Sequence, residues 1–209
     1  MRAAIVFNSI LSLAAATSAS LVEPREGTTS NGTNVVSALW DGLCFYPQSD
    51  STFNLTSYLG RWYQVAGYVA IFDAGCKCIT ADYTLNSDGT VGVKNECQEL
   101  GLPITISGTA TTADAAYGEV GVLNVSFFNS SAACAGPNYI VQVELIAFAE
   151  YVVDDYAIVQ SPDFATLFIL SREQNVTDSK LDSLISRSVE LGSTKALIVT
   201  DSQTGCLYT

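Results

Sequence analysis

The sequence predicts an all-β protein in which eight antiparallel strands form an up-and-down meander that closes into a barrel. Short runs of strand-forming residues recur between residues 62 and 171, and the connections between them are mostly short. Little helix separates these runs, which favours antiparallel neighbours over parallel βαβ units. Closing the meander removes its exposed edges and leaves an interior about large enough for one small molecule.

The predicted strands are defined by their β-rich composition and by the turn residues between them. The clearest turn is Asn86-Ser87-Asp88-Gly89, because glycine takes the positive φ that a tight hairpin needs. The eight strands are predicted at 62–69, 79–85, 90–95, 104–112, 119–128, 139–148, 156–160 and 167–171. A further short strand is predicted at 197–199.

Alternation within the strands indicates which side chains face the barrel interior. Leu123, Val125 and Phe127 fall on one face of their strand, and Asn124 and Ser126 fall on the other. Because Asn124 begins a glycosylation sequon, its face is expected to meet solvent. The same pattern assigns further side chains to an inner face: Tyr139, Val141, Val143, Leu145, Phe168 and Leu170. These rows fit a cavity wall and a densely packed core equally well.

One helix is predicted, at about 177–191. Thr177 can cap its first turn, apolar residues at helical spacing include Leu184 and Ile185, and Gly192 ends it.

The chain is expected to begin with a secretory signal peptide at residues 1–19. A positively charged start precedes an apolar run at 3–16, and small residues follow up to Ala19, after which cleavage is expected. This run is too short to span a bilayer comfortably, and no later stretch predicts a transmembrane anchor. Residues 20–43 are polar and show no periodicity, so we predict a flexible leader ahead of one folded domain at 44–209.

The composition argues against several classes of function. Nine Lys and Arg residues stand against 21 Asp and Glu residues, the formal net charge is −12, and the chain has no histidine. An acidic chain repels nucleic acid and anionic lipid surfaces. Without histidine, the chain lacks the usual neutral-pH general base and the commonest transition-metal ligand. We therefore expect no nucleic-acid partner, no metal and no cofactor.

The cysteines and the sequons point to export. All six cysteines follow the leader, and five sequons begin at Asn31, Asn54, Asn124, Asn129 and Asn175. Together with the signal peptide they predict a secreted, extracellular, disulfide-bonded glycoprotein. A metal site at Cys76 and Cys78 is disfavoured, because export oxidises thiols and no histidine completes a ligand shell.

Four stretches resemble the signatures of the lipocalin family. Residues 59–66 (LGRWYQVA) resemble its first signature, and residues 78–85 (CITADYTL) resemble the second strand of its apolipoprotein D and bilin-binding branch. Residues 154–159 (DDYAIV) and 168–172 (FILSR) are similar to the second and third signatures. The four occur in family order and at roughly family spacing, and the resemblance covers about residues 44–206.

The resemblance implies an eight-stranded antiparallel up-and-down calycin barrel with one C-terminal helix packed outside. It also implies structural roles for Gly60, Trp62 and Arg172, with the tryptophan closing the barrel floor and the arginine lying across it in a cation–π contact of roughly 1 to 2 kcal/mol. Asp154 and Asp155 would lie in a loop at the same end. An acid/base pair is the rival interpretation, but neighbours along a strand point to opposite faces.

The resemblance implies two disulfides and leaves two cysteines that flank the second and third strands, where a third bridge can form. The pairs are Cys44–Cys134 and Cys78–Cys206 by resemblance, and Cys76–Cys97 across the hairpin. A regular hairpin offers an alternative, because folding about Ser87 and Asp88 puts Cys78 opposite Cys97 and leaves Cys76 for Cys206.

The resemblance further implies that the barrel binds and carries a small hydrophobic ligand, such as a lipid, retinoid, sterol or pigment. Apolar walls would remove the ligand's surface from water, and one or two polar groups would orient it. Candidate lining residues, taken from parity and from the strands that face the cavity in the family, are Tyr83, Leu123, Val125, Phe127, Tyr139, Val141 and Phe168.

Two other functions fit the same fold. Some lipocalins are enzymes that act on lipophilic substrates through a barrel cysteine or through carboxylates, but each cysteine here has an expected partner, so we expect no enzyme. The other is an extracellular interaction protein with a filled barrel. The apolar insertion at 146–149 could also expose a patch for self-association.

Overall fold

The computed structural model describes residues 22–28, 35–70, 73–118, 120–127, 133–144 and 155–207. These residues form two antiparallel sheets and two α-helices, α1 (Leu55–Tyr58) and α2 (Asp178–Glu190). The smaller sheet contains β1 (Glu23–Thr28), β2 (Val35–Trp40) and β3 (Phe45–Pro47). The larger sheet contains β4 (Gly60–Tyr68), β5 (Lys77–Leu85), β6 (Val91–Glu99), β7 (Leu102–Thr112), β8 (Val122–Phe127), β9 (Tyr139–Glu144), β10 (Tyr156–Gln160), β11 (Leu167–Ser171) and β12 (Ile198–Thr200).

Strands β4 to β11 close into a barrel. Each pairs antiparallel with the next strand along the chain, and β11 pairs with β4 through Phe168 opposite Gly67 and Ser171 opposite Tyr63. β12 pairs with the end of β4, where Ile198 lies opposite Tyr68. The eight-stranded antiparallel barrel that the sequence predicts is therefore confirmed, with β12 as an additional strand.

Helix α2 packs against the outside of the barrel, as predicted. Thr177 caps it through a hydrogen bond from the Lys180 N–H to Thr177 Oγ1 at 3.4 Å. Leu184 is 3% exposed and packs with outward-facing side chains of the barrel wall, among them Val65 and Ile158. These side chains form an apolar core outside the barrel, between α2 and the barrel wall.

The described part of segment 20–43 corrects one expectation. This segment was predicted to lack regular structure, but it contains β1 and β2. β2 pairs with β3, the ring centroids of Trp40 and Phe45 lie 4.5 Å apart, and the Arg25 guanidinium lies 5.9 Å from the Trp40 ring. β1 pairs with β2 along its whole length, and the end of β2 pairs with β3, so pairing between strands marks this segment and periodicity within a single strand does not. The predicted signal peptide lies outside the described residues.

Residues 41–53, here called the strap, include β3 and connect β2 to α1. The Tyr46 hydroxyl donates to Asp41 Oδ2 at 2.6 Å, and both residues are buried. Tyr46 and Cys44 cover Val122 and Ile140, two apolar side chains of β8 and β9 that cluster with them. An outward-facing part of the barrel wall is thereby kept from water, and the strap leads the chain to the barrel floor.

Candidate ligand site

The barrel contains a cavity lined mainly by apolar side chains. Its volume is about 60 Å³, counted as the space that the centre of a water molecule can occupy. One water needs about 10 to 15 Å³ by the same measure, so the side chains do not fill the interior. The cavity is partly open to solvent.

All seven side chains that parity and the family resemblance assigned to a cavity wall lie on this wall. They come from four strands: Tyr83 from β5, Leu123, Val125 and Phe127 from β8, Tyr139 and Val141 from β9, and Phe168 from β11. Phe127 owes its position partly to Gly108, since a Cβ on that residue would lie 2.7 Å from the Phe127 ring. That these residues contact a ligand stays a prediction.

Sequence reasoning missed the contribution of β4, β6 and α1 to the wall. Val91, Val93 and Asn95 line the cavity from β6, and Gln64 does so from β4. The alternation of Val91 and Val93 with Gly92 could have revealed the first two. The polar residues gave no such signal, because alternation alone does not mark an inward-facing amide.

The floor of the barrel is built around Trp62, which is fully buried. The Arg172 guanidinium lies 3.7 Å from the centre of the Trp62 ring, and its Nη1 donates to the Arg61 carbonyl at 2.7 Å and Nη2 to the Leu59 carbonyl at 2.8 Å. The indole Nε1 donates to the Tyr58 carbonyl at 2.8 Å. A partly desolvated contact of this kind contributes about 2 kcal/mol, so both residues hold the floor together.

Gly60 lies at the start of β4 beside this floor. Its φ of +93° falls in the region that L side chains rarely adopt, whereas a Cβ would stand 3.5 Å from Arg172 Nη1, an ordinary contact. Glycine is therefore required at this position by the backbone conformation, since the surrounding space could accommodate a Cβ.

Asp155 also lies at this end, where its carbonyl accepts a hydrogen bond from the Arg172 N–H at 2.9 Å. This contact between backbone atoms fits a structural role for the loop. Asp154 lies outside the described residues.

Two tyrosines meet on the cavity wall next to the floor. The rings of Tyr58 and Tyr83 stack with centroids 4.8 Å apart, and both line the cavity. Burial raises the pKa of Tyr83 to about 12, and burial likewise raises the pKa of Tyr58 and Tyr139. The phenols therefore stay neutral at physiological pH. A neutral phenol on this wall carries an O–H that can donate to an acceptor in the cavity.

A carboxyl group lies directly behind another part of the wall. Gln64 Nε2 donates to Asp201 Oδ2 at 2.9 Å. Burial raises the pKa of Asp201 to about 6, the Gln64 hydrogen bond opposes this rise, and the negative charge of Asp73 adds to it. The cavity wall is thus coupled to a group that titrates in mildly acidic conditions.

Three disulfides connect the cysteines: Cys44–Cys134, Cys76–Cys97 and Cys78–Cys206. The alternative that paired Cys78 with Cys97 does not occur. The pairing of β5 with β6 is irregular between Lys77 and Thr80, and Cys78 has a φ of 60°, so Cys78 leaves the register that would place it opposite Cys97. The first bridge ties the strap to the segment that precedes β9.

The sequons that the structure describes are accessible. Asn54, Asn124 and Asn175 are all exposed, and Asn54 also caps α1 by accepting from the Ser57 N–H at 3.2 Å. Asn31 and Asn129 lie outside the described residues. Glycan occupancy stays a prediction at all five.

A barrel closed at its floor and holding an apolar cavity defines the class of cup-shaped antiparallel barrels. The family model for the lipocalin-like domain matches residues 53–202. The chain is 33% identical over 180 residues to the outer membrane lipoprotein Blc of Vibrio cholerae, an alignment that covers 80% of this chain and 95% of that protein. This chain belongs to the lipocalin family.

Further comparisons agree with the predicted branch of the family. The chain is 38% identical over 88 residues to apolipoprotein D of Cavia porcellus, covering 42% of this chain and 45% of that protein. Among solved structures, lobster apocrustacyanin A1 superposes with a TM-score of 0.53 at 20% identity, covering 74% of this chain and 82% of the other, which supports the fold alone. No helix in the described ranges is long and apolar enough to cross a membrane.

Proposed function

We propose that this chain is a secreted lipocalin that binds and carries a small hydrophobic ligand in its barrel cavity. One observation carries the proposal: the interior is a partly open, mainly apolar cavity instead of a filled core. Each Å² of apolar ligand surface removed from water contributes about 25 cal/mol. Burial of about 250 Å² would therefore contribute about 6 kcal/mol before the cost of immobilising the ligand.

The wall also suggests how the ligand is oriented. Aromatic rings supply much of the surface, and the phenol pair of Tyr58 and Tyr83 offers a neutral hydrogen-bond donor beside the floor. A ligand with one polar acceptor and an otherwise apolar body matches this arrangement. Lipids, retinoids, sterols and pigments all include molecules of this kind.

Secretion and glycosylation are part of the proposal. The apolar leader, the exposure of Asn54, Asn124 and Asn175, and the three disulfides support passage through an oxidising export route. The disulfides also weigh against an enzyme that uses a barrel cysteine, since each of the six cysteines is bonded to another. The proposed mechanism is passive binding.

A cavity-filling substitution tests the proposal. Val93→Phe places a larger side chain on the cavity wall, and Ala110→Val is a milder change on the neighbouring strand; both residues are buried. Binding of fluorescent fatty-acid and retinoid probes to the wild type should weaken at least about tenfold in a variant that keeps its native circular dichroism. Val199→Phe, on the outer strand β12 where Val199 is 43% exposed, should bind like the wild type.

Two outcomes would contradict the proposal. Equal probe binding by the wild type and by both cavity variants would place the probe outside the barrel. Failure of the natively folded wild type to bind any apolar probe would favour the extracellular interaction protein with no carried ligand.

A further inference from the structure

The cavity-facing side of the β6–β7 hairpin continues beyond the enclosed cavity. In this hairpin Asn95 lies opposite Ile106, Cys97 opposite Ile104 and Glu99 opposite Leu102, with no break in register. Residues directly opposite one another on paired strands project from the same face of the sheet. Asn95 lines the cavity, so Ile106, Ile104 and Leu102 project from the same face.

These three side chains, here called the mouth strip, are poorly covered. Leu102 is 68% exposed and Ile104 is 39% exposed, whereas Ala110, on the same face of β7 within the cavity, is 2% exposed. Ile106 is half-buried. Exposure therefore rises steadily along one face of a single strand. Large apolar side chains in such a row are unusual on a solvated surface unless something covers them in use.

The strand order explains the exposure. β8 pairs with β7 only from Gly108 to Thr112, so in the described part of the chain the segment of β7 that carries the mouth strip is paired with β6 on one side and with no strand on the other. Successive residues on one face of a strand lie about 6.8 Å apart. The mouth strip thus extends the cavity surface by about 13 Å, in the direction that leads away from the floor.

We propose that the mouth strip holds the outer part of an elongated, unbranched aliphatic ligand whose inner part lies in the barrel. This inference rests on the proposed function and adds the shape of the ligand to it. The enclosed volume of about 60 Å³ is small, and the apolar surface that continues from it is narrow and straight. A flexible chain can occupy both parts, whereas a compact ring system would leave the mouth strip uncovered.

The charges nearby indicate which end of the ligand lies where. Glu99 lies opposite Leu102 at the outer end of the mouth strip, so an anionic head group is disfavoured there. The phenol pair of Tyr58 and Tyr83 offers a donor at the inner end. The ligand class that fits is a neutral, straight-chain lipid with its hydrogen-bond acceptor innermost and its alkyl end along the mouth strip.

A chain-length series tests the inference. Straight-chain alcohols from about six to about sixteen carbons are competed against a bound fluorescent probe, and each methylene that becomes fully buried strengthens binding by up to about fourfold. In the wild type, affinity should keep rising through the longer alcohols. In the double variant Leu102→Gln with Ile104→Thr, short alcohols should bind as before and the gain per methylene should stop at a shorter chain length.

The matched control changes two other exposed apolar residues that lie outside the mouth strip. The control variant is Leu85→Gln with Val199→Thr. Leu85 is the last residue of β5 and is 53% exposed, and Val199 on β12 is 43% exposed. This variant should follow the wild-type series. Because the mouth-strip residues are exposed, both variants should keep the unfolding midpoint of the wild type, which urea titration checks.

Three results would overturn the inference. Wild-type affinity that levels off at the shorter alcohols would place the whole ligand inside the barrel. The wild type and the mouth-strip variant could also gain the same affinity with each added methylene. If the variant then binds phosphatidylcholine vesicles more weakly than the wild type, the mouth strip contacts a lipid surface and does not hold the carried ligand. Absence of binding at every chain length would contradict the proposed function itself, and the inference with it.

Discussion

At the scale of single residues, Asp201 couples the cavity wall to pH. Its carboxyl accepts a hydrogen bond from Gln64, and burial raises its pKa from 3.8 to about 6. The folded protein therefore holds this proton more tightly than the unfolded chain does. The resulting stabilisation is complete below pH 3.8 and is lost as the pH rises through about 6.

Asp201→Asn should remove this loss. The asparagine amide is similar in size to the carboxyl group, and its oxygen can still accept a hydrogen bond from Gln64. The variant should therefore match the stability of the wild type near pH 4 and be more stable by about 1 to 2 kcal/mol above pH 6. This range allows for partial screening of the carboxylate by solvent. Urea unfolding at a series of pH values measures the difference. Asp182→Asn, an exposed change on α2, is the control. Parallel stability curves for Asp201→Asn and the wild type would contradict this account.

Single residues also show what the sequence can and cannot reveal about the site. Leu123, Val125 and Phe127 alternate with polar neighbours, so parity alone places them on the cavity wall. Gln64 and Thr80 lie on the same wall without any such signal. Gln64 is polar, and Thr80 follows an irregularity in the pairing of β5 with β6, which alternation along one strand cannot anticipate.

At the scale of elements, the strap shows how a part of the chain outside the barrel stabilises it. Asp41 accepts hydrogen bonds from the Leu43 and Cys44 N–H groups at 2.9 Å and from the Tyr46 hydroxyl. Burial alone would raise the pKa of Asp41, but these hydrogen bonds outweigh it and lower the pKa. Cys44–Cys134 then fixes this turn against the segment that precedes β9.

Removal of this disulfide should destabilise the fold without changing the cavity. The bridge spans 90 residues, whereas Cys76–Cys97 spans 21. A longer loop gains more entropy in the unfolded chain, so replacing Cys44 and Cys134 by alanine should cost about 1 kcal/mol more than replacing Cys76 and Cys97. Non-reducing urea titrations of the two double variants measure this difference.

Ligand affinity provides the second readout for the strap. Because Cys44 and Tyr46 pack on the outward-facing side chains of β8 and β9, probe binding by the folded Cys44/Cys134 variant should equal that of the wild type. Loss of binding in a protein that still shows native circular dichroism would mean that the strap shapes the cavity directly.

Elements differ in how well the sequence predicts them. β10 and β11 have the predicted bounds, because each is a short apolar run between turn residues. The hairpin of β6 and β7 is longer than predicted: β6 continues to Glu99 and β7 begins at Leu102. The outer half of this hairpin mixes apolar and acidic residues, so neither strand shows a clear pattern there. Pairing between the two strands determines how far the hairpin extends, and the sequence of one strand does not reveal that pairing.

At the scale of the whole molecule, the closed barrel gives this acidic chain an apolar interior, which the proposed binding of a hydrophobic ligand requires. Closure leaves the eight barrel strands paired on both sides over much of their length, so most backbone groups are satisfied within the wall. The inner face is then free to be apolar, and the charged side chains that give the net charge of −12 can lie on the outer face. Barrel, cavity and charge together fit passive transport.

Native mass spectrometry of the protein purified from its natural secretions, after enzymatic removal of glycans, tests the central claim most directly. The predicted result is a chain that begins after Ala19, retains three disulfides and carries the mass of a small molecule that leaves on denaturation. That released mass would identify the ligand class. A bare chain that also fails to bind fluorescent fatty-acid and retinoid probes would contradict the claim that the barrel carries a ligand.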